Sequence, residues 1–312
     1  MTVSDIGEAG LLERLFPRLP QSRATLLGPG DDAALVAVRG GRVVATTDML
    51  VEGRHFRLDW SSPRDVGRKA AAQNLADVAA MGGVGTALLV ALALPGETEV
   101  SWAEGFYDGL REECDLIGAG VVGGDVVRSE HGITIAVTAL GSMRGREPVT
   151  RAGAKPGDVV AIAGRVGWSA AGLAVLSRGF RTPRALVDAH RYPSVPYAAG
   201  PAAADLGATA MCDVSDGLVA DLRSIAVASG VSIEITTEVL EVTAQMRDAA
   251  QALGIDPVRW LLDGGEDHAL IATFPARVDL PESWRTIGRV VRGRGVYVDG
   301  QPSADQGFDH FR

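Results

Sequence analysis

"ATAMCDVSDGLVADLRSIAVASG", residues 208–230, holds a strand, a turn and a helix in one short stretch. An apolar run reaches Asp213, a turn carries Ser215, Asp216 and Gly217, and a helix follows from Leu218. A strand that feeds a helix through a short turn is the building unit of mixed α and β proteins. The acids at the turn raise a second question, because carboxylates rarely sit at the end of a buried strand without a partner.

The same grammar extends in both directions. Upstream, "AALVAV" (33–38), "RVVATTDML" (42–50), "ALLVALALP" (87–95), "AGVVGGD" (119–125) and "ITIAVTALG" (133–141) read as strands. "SSPRDVGRKAAAQNLADVAAMGG" (61–83) reads as a helix. Ser62 can cap it, Pro63 suits its first turn, Asp65 favours its dipole and Gly82 stops it. Lys69, Gln73 and Asp77 recur every fourth residue and so share one face. "EVSWAEGFYDGLREECDLIG" (99–118) is an amphipathic helix with Trp102, Phe106, Leu110 and Cys114 on one stripe. Downstream, "VVAIAG", a helix near 168–178, "VSIEI", "HALIATF", "RTIGRV" and "GVYVDG" continue the alternation, and "GFDHF" ends the chain as a small tail. The polar stretch "SMRGREPVTRAGAKPGD" (142–158) has no apolar periodicity and marks a boundary. The reading is a mixed α/β chain in two domains, residues 1–145 and 146–312.

Composition narrows the function. The 312 residues are 46% hydrophobic and 22% charged, with a net charge of −9. Such a charge disfavours a nucleic-acid partner. The longest apolar run, residues 84–95, is too short to span a bilayer. The first residues lack the order of a secretory signal, and two isolated cysteines, Cys114 and Cys212, suggest neither a zinc site nor a disulfide framework. A reducing cytoplasm fits. "GAGVVG" (118–123) matches a dinucleotide fingerprint, but it follows a helix and enters β-like sequence, the reverse of what that motif needs. No Walker A lysine motif exists.

The acids carry more information. "GPGDDAAL" offers Asp31 and Asp32, "TTDMLVEGRHF" offers Thr46, Thr47 and Asp48, the first helix offers Asp77, "VVGGDVV" offers Asp125, and "DGGEDHAL" offers Asp263, Glu266 and Asp267. Each has an ordinary reading: a Gly-Asp turn, a helix cap at Asp213 or Asp216, a solvated helix acid at Asp77. Six such places in one chain are harder to explain as turns. Carboxylates brought together repel one another unless cations lie between them. Oxygen ligands without Cys and with few His point to Mg²⁺, with Mn²⁺ and Ca²⁺ as alternatives; Mg²⁺ normally completes its shell with water and substrate phosphates. An acidic cleft can therefore bind a nucleotide, with metal as the bridge.

The set "GPGDDAAL", "TTDMLVEGRHF", "NLADVAAMGG", "GGD", "RAGAKPGD", "VSDGL" and "GGEDHAL", in that order, resembles the thiamine-monophosphate kinase family. That family belongs with aminoimidazole ribonucleotide synthetase, selenophosphate synthetase and the hydrogenase maturation factor HypE. The resemblance implies the two-domain fold of that superfamily, with an N-terminal sheet that pairs across a homodimer. It implies ATP-dependent phosphorylation of thiamine monophosphate to thiamine diphosphate, the last step of thiamine diphosphate biosynthesis, by direct transfer with several Mg²⁺ ions. Asp31, Thr46, Thr47, Asp48, Asp77, Asp125, Asp213 and Asp216 match the family's metal positions, and Asp32 is read as a helper to Asp31. Tyr107, Gly124, Asp125, Arg151 and Ser215 match its ATP positions. His55, Glu266 and the tail aromatic Phe308 match its substrate contacts. Tyr107 also suits the apolar stripe beside Trp102 and Phe106, and Arg151 also suits a solvated linker. His268 departs from a tyrosine common in the family, and Arg54 lies inside the substrate motif. Selenophosphate synthetase would carry a reactive residue near the N-terminus, and HypE a C-terminal cysteine; this chain has neither. A non-catalytic nucleotide sensor would have lost some of the acids, and all the matched ones are present.

Overall fold

The structure, a computed structural model, describes residues 25–27, 30–38 and 41–303. Its elements run in order as β1 (Thr25–Leu27), β2 (Ala34–Val38), β3 (Gly41–Val51), α1 (Pro63–Ala80), β4 (Val84–Pro95), α2 (Val100–Asp115), β5 (Gly120–Ser129) and β6 (Thr134–Ser142). Then follow β7 (Asp158–Ala163), α3 (Trp168–Ser177), α4 (Arg184–Arg191), α5 (Ala199–Asp205), β8 (Ala210–Asp213) and α6 (Leu218–Ser229). The last are β9 (Ser232–Ile235), α7 (Ala244–Leu253), α8 (Pro257–Asp263), β10 (Leu270–Pro275), β11 (Arg285–Val291), β12 (Gly295–Val298) and β13 (Gln301–Pro302). Two sheets result, one from each half of the chain. The first has the order β1-β2-β3-β6-β4-β5, the second β13-β12-β9-β11-β7-β10-β8. Pairing is antiparallel except at β4–β5 and β9–β12. The chain is mixed α and β, as its sequence predicts.

Strand β6 buries every second residue, so Ile135, Val137 and Ala139 face inward. Helix α1 covers that face. It starts as the sequence predicts: the Ser62 side chain accepts from Asp65 N while the Asp65 carboxylate accepts from Ser62 N. Its alanines let it pack on several sides. At the crossing with α2, a Cβ on Gly67 would meet Phe106 O at 2.0 Å, and one on Gly109 would meet Arg64 O at 2.1 Å. Only glycine permits that approach, which seats Phe106, Leu110 and Cys114 in the core.

In the second sheet β7 and β10 are interior strands and nearly all buried. One side packs Val160, Ile162 and Ile271 against Leu218, Leu222 and Ile225 of α6. The other packs Met211, Leu270 and Phe274 against α5 and against Ala79 and Ala80 at the end of α1. Helix α1 thus touches both halves, and its polar residues 69, 73, 74 and 77 lie along the seam. That position explains why Lys69, Gln73 and Asn74 are buried in an otherwise apolar helix. Among the described residues, no helix is long and apolar enough to cross a membrane.

Candidate active site

A cleft of about 1220 Å³ opens between the two halves. Strand β3 brings Thr46 and Asp48 to one face, because alternate residues of a strand point the same way. Thr46 Oγ1 donates to Asp77 Oδ2 at 2.7 Å. Asp48 is held by α1: Gln73 Nε2 donates to its Oδ2 (3.1 Å), and its backbone N donates to Asn74 Oδ1 (3.0 Å). The Thr47 hydroxyl instead donates to Val137 O at 2.9 Å, across the strand pair.

Asp213, at the end of β8, faces this group. The turn after it is fixed by Asp221, whose Oδ2 accepts from Asp216 N (3.1 Å) and Gly217 N (3.2 Å). The loop before β10 adds His268, whose Nδ1 lies 2.7 Å from Asp213 Oδ2. Arg151, from the linker, closes the cleft on the remaining side. Its Nη2 donates to Asp32 Oδ1 at 2.7 Å, and its backbone N donates to Asp31 Oδ2 at 3.0 Å.

Asp32, Asp77 and Asp213 each offer one carboxylate oxygen, and these oxygens all lie within 4.8 Å of one another. Asp32, read from the sequence as a helper, is thus a member of the cluster. The Asp31 carboxylate turns to backbone N–H groups, those of Arg151 and Asp32. Burial pushes the Asp32 carboxyl up to about 7; Arg151 opposes that rise and Asp213 adds to it. Burial also drives Asp77 well above the usual carboxylate range, helped by the charges of Asp48, Asp213 and Asp32. Asp32 Oδ2 is enclosed and has no hydrogen-bond partner. Three crowded carboxylates, one with an orphaned oxygen, fit a hard divalent cation.

The other end of the cleft is differently built. Glu266 lies in the left-handed region (φ 64°), in the loop that follows Gly264 and Gly265. Its Oε1 pairs with Lys69 Nζ at 2.8 Å, and its Oε2 is 3.6 Å from His190 Nδ1. Burial alone would raise the Glu266 carboxyl, but the Lys69 ammonium and the two nearby histidines outweigh it and hold the group at about 2. His55 Nδ1 accepts from Val51 N at 3.0 Å, so the ring carries its proton on Nε2 in the neutral form. Trp60 meets His190 edge to face at 6.2 Å.

The cleft lining unites Asp31, Thr46, Thr47, Asp48, Asp77, Arg151, Asp213, Asp216, Ser215, His55 and Glu266. It does not include Asp125, Gly124 or Tyr107. Asp125 sits on β5, opposite Ala91, with β6 and β4 between it and β3. At the usual strand spacing that is about 14 Å away. Gly124 packs on β4, where a Cβ would meet Val90 O at 2.0 Å. Tyr107 packs edge to face on Phe106, with ring centroids 5.5 Å apart. Phe308 lies outside the described residues. Sequence reasoning missed the roles of Gln73, Asn74, His190 and Ser169. The four-residue spacing of Lys69, Gln73 and Asp77 was the only signal for any of them.

Comparison with known proteins fits this geometry. Residues 30–143 match the N-terminal domain of AIR synthase related proteins, and residues 155–300 match their C-terminal domain. Thiamine-monophosphate kinase of Mycobacterium tuberculosis is 51% identical over 302 residues, covering 96% of this chain and 90% of that protein. The chain belongs to the thiamine-monophosphate kinase family. The Corynebacterium glutamicum member is 41% identical over 99% of this chain and 95% of its own length. A solved structure of AaThiL complexed with AMPPCP and TMP superposes with a TM-score of 0.91 at 36% identity, covering 99% of both chains.

Proposed function

We propose that the cleft transfers the γ-phosphate of ATP directly to the phosphate of thiamine monophosphate, giving ADP and thiamine diphosphate. The observation that carries this reading is the convergence of Asp32, Asp77 and Asp213 within 4.8 Å of one another in a member of this family. The acceptor is a phosphate monoester, whose second pKa is near about 6, so it is largely ionised at neutral pH. It needs no general base. The obstacle is bringing two anions together in a cleft lined by eight acids and three arginines. Asp32, Asp77 and Asp213, with Thr46, Asp48 and Asp216 lining the same cleft, would hold magnesium, which would supply the positive charge needed to shield both phosphates.

The protein's own groups do the rest. Asp48 is pre-set by Gln73 and Asn74, so its carboxylate does not have to reorganise when charge moves. Arg151 neutralises Asp32 and presents a guanidinium to the triphosphate side, with Ser215 on the facing turn. His55 can direct its Nε2–H to the thiamine phosphate, and Glu266 faces the thiamine moiety. The halves 1–145 and 146–312 divide the work: the first supplies β3 and α1, the second supplies the β8 turn and the loop of Glu266.

A homodimer accounts for the residues left outside the cleft. Strand β5 is a sheet edge with Val122 (66% exposed), Val126 and Val127 turned to solvent. A bare apolar edge invites a second copy. Pairing there would let Gly124, Asp125 and Tyr107 of one protomer approach the nucleotide of the other. Single-turnover reaction with γ-³²P-labelled ATP tests the chemistry. Label should pass to thiamine diphosphate without appearing on the protein; a labelled protein that discharges to thiamine monophosphate would refute direct transfer.

A further inference from the structure

Lys69 is among the largest fully buried side chains of the described residues, at 1% exposure. An ammonium so enclosed is costly unless its hydrogen bonds are met. Here they are met by three parts of the substrate end. Nζ pairs with Glu266 Oε1 at 2.8 Å, donates to the carbonyl of His55 at 2.9 Å, and lies 3.5 Å from the carbonyl of His190. These partners come from the loop before β10, the segment after β3 and the end of α4. Helix α1 thus pins, through one charge, the two residues expected to touch thiamine monophosphate.

We propose that Lys69 is the positioning residue of the substrate half of the cleft: it fixes the Glu266 carboxylate and the His55 segment for thiamine monophosphate and leaves the nucleotide half alone. This rests on the proposed function. The anchoring has a physical reason. Glu266 stands in a left-handed backbone conformation that an ordinary residue adopts only under constraint. One Glu266 oxygen is held by Lys69, so the direction of the other is set before substrate arrives. Ser169 Oγ, 3.1 Å from His190 Nδ1, braces the third partner from α3. The metal end of the cleft meets α1 further along: Gln73, one turn on, bonds Asp48 of β3, and Asp77, two turns on, belongs to the carboxylate cluster, whereas the hydrogen bonds of Lys69 go to the substrate end.

The test is a double-mutant cycle on the full-length protein, with Lys69→Met, Glu266→Gln and the pair together. The readouts are the Kd of thiamine monophosphate by calorimetry and the KM of ATP. Lys69→Met should weaken thiamine monophosphate binding about tenfold, as loss of an orienting partner does. The ATP KM should stay within about twofold, and the double variant should bind no worse than Glu266→Gln alone. If Lys69→Met strands the half-buried Glu266 carboxylate and does not fold, the uncharged double variant is compared with Glu266→Gln. Equal Kd values then support the proposal. A double variant about tenfold weaker than Glu266→Gln, or an ATP KM that rises in step with the thiamine monophosphate Kd, overturns it. A wild type that shows no saturable binding of thiamine monophosphate refutes the proposed function itself.

Discussion

Replacing Asp77 by Asn should make the metal-free protein more stable and the enzyme far slower. Asp77 offers one oxygen to a group of three carboxylates within 4.8 Å. At that separation and an effective dielectric near 20, one pair of like charges costs about 3 kcal/mol. Arg151 bonds Asp32, and the Asp32 carboxyl, pushed up to about 7, is half protonated at neutral pH. Those two effects reduce the repulsion felt by Asp77 to about 1–2 kcal/mol. Asn keeps the size and an oxygen to accept from Thr46 Oγ1, now at 2.7 Å, so little is lost in return. At about 2–4 °C per kcal/mol for a chain of this size, Tm in EDTA should rise by about 2–8 °C. Calorimetry with EDTA and again with Mg²⁺ measures both sides: the Mg²⁺-induced rise should shrink in the variant. Turnover should fall on the order of 10²-fold or more, as when one preorganised charge contact is lost. A variant less stable than wild type without metal, or one that keeps its Mg²⁺ response and turnover, would refute the reasoning.

Further outcomes are open to direct measurement. The Asp32 and Asp77 carboxyls are raised in the fold, so their contribution to the metal-free protein is full below about pH 4, their unfolded range, and is lost as pH rises through about 7 for Asp32. Metal competes with those protons, so the Mg²⁺-induced gain in Tm should be larger at pH 8 than at pH 5.5; a constant gain would count against the carboxylate site. Asp267→Ala should lower Tm by about 4–8 °C, because Asp267 accepts from Gly167 N (2.6 Å) and Ser169 N (2.8 Å) and so caps α3, a cap and charged hydrogen bonds worth about 2 kcal/mol. An unchanged melting curve would remove that role. Val122→Lys with Val126→Lys should yield monomers by sedimentation and cost most of the turnover, and fully active monomers would contradict a shared site.

Much of this was legible in the sequence, for identifiable reasons. Helix α1 announced itself through Ser62, Pro63 and Asp65, and the strands through apolar runs that stop at glycine or an acid. The cleft motifs were legible because most place an acid beside an apolar strand, as Asp32 does before β2 and Asp213 at the end of β8, while Asp48 within β3 and Asp77 on α1 reach the same cleft from their own elements. Local sequence does not say which of two adjacent aspartates turns inward. That depends on the Gly30 turn (φ 121°) and on Arg151, 119 residues after Asp32. Lys69 was visible only as one position on a helical face; its burial comes from α4 and the Glu266 loop, which are distant in sequence. The short helices α4, α5 and α8, of 8, 7 and 7 residues, carry too few turns for a periodic signal. Asp125 matched its motif, yet within one chain it stands at the far edge of the sheet, because the β5 register follows β4 and not the cleft.

The most direct test is ³¹P NMR of the purified protein with ATP and thiamine monophosphate, with and without Mg²⁺. The account expects the thiamine monophosphate resonance to give way to the two of thiamine diphosphate, matched one for one by ADP, only when Mg²⁺ is present. A folded protein that leaves both substrates unchanged in Mg²⁺, or that forms ADP and inorganic phosphate without thiamine diphosphate, would contradict it.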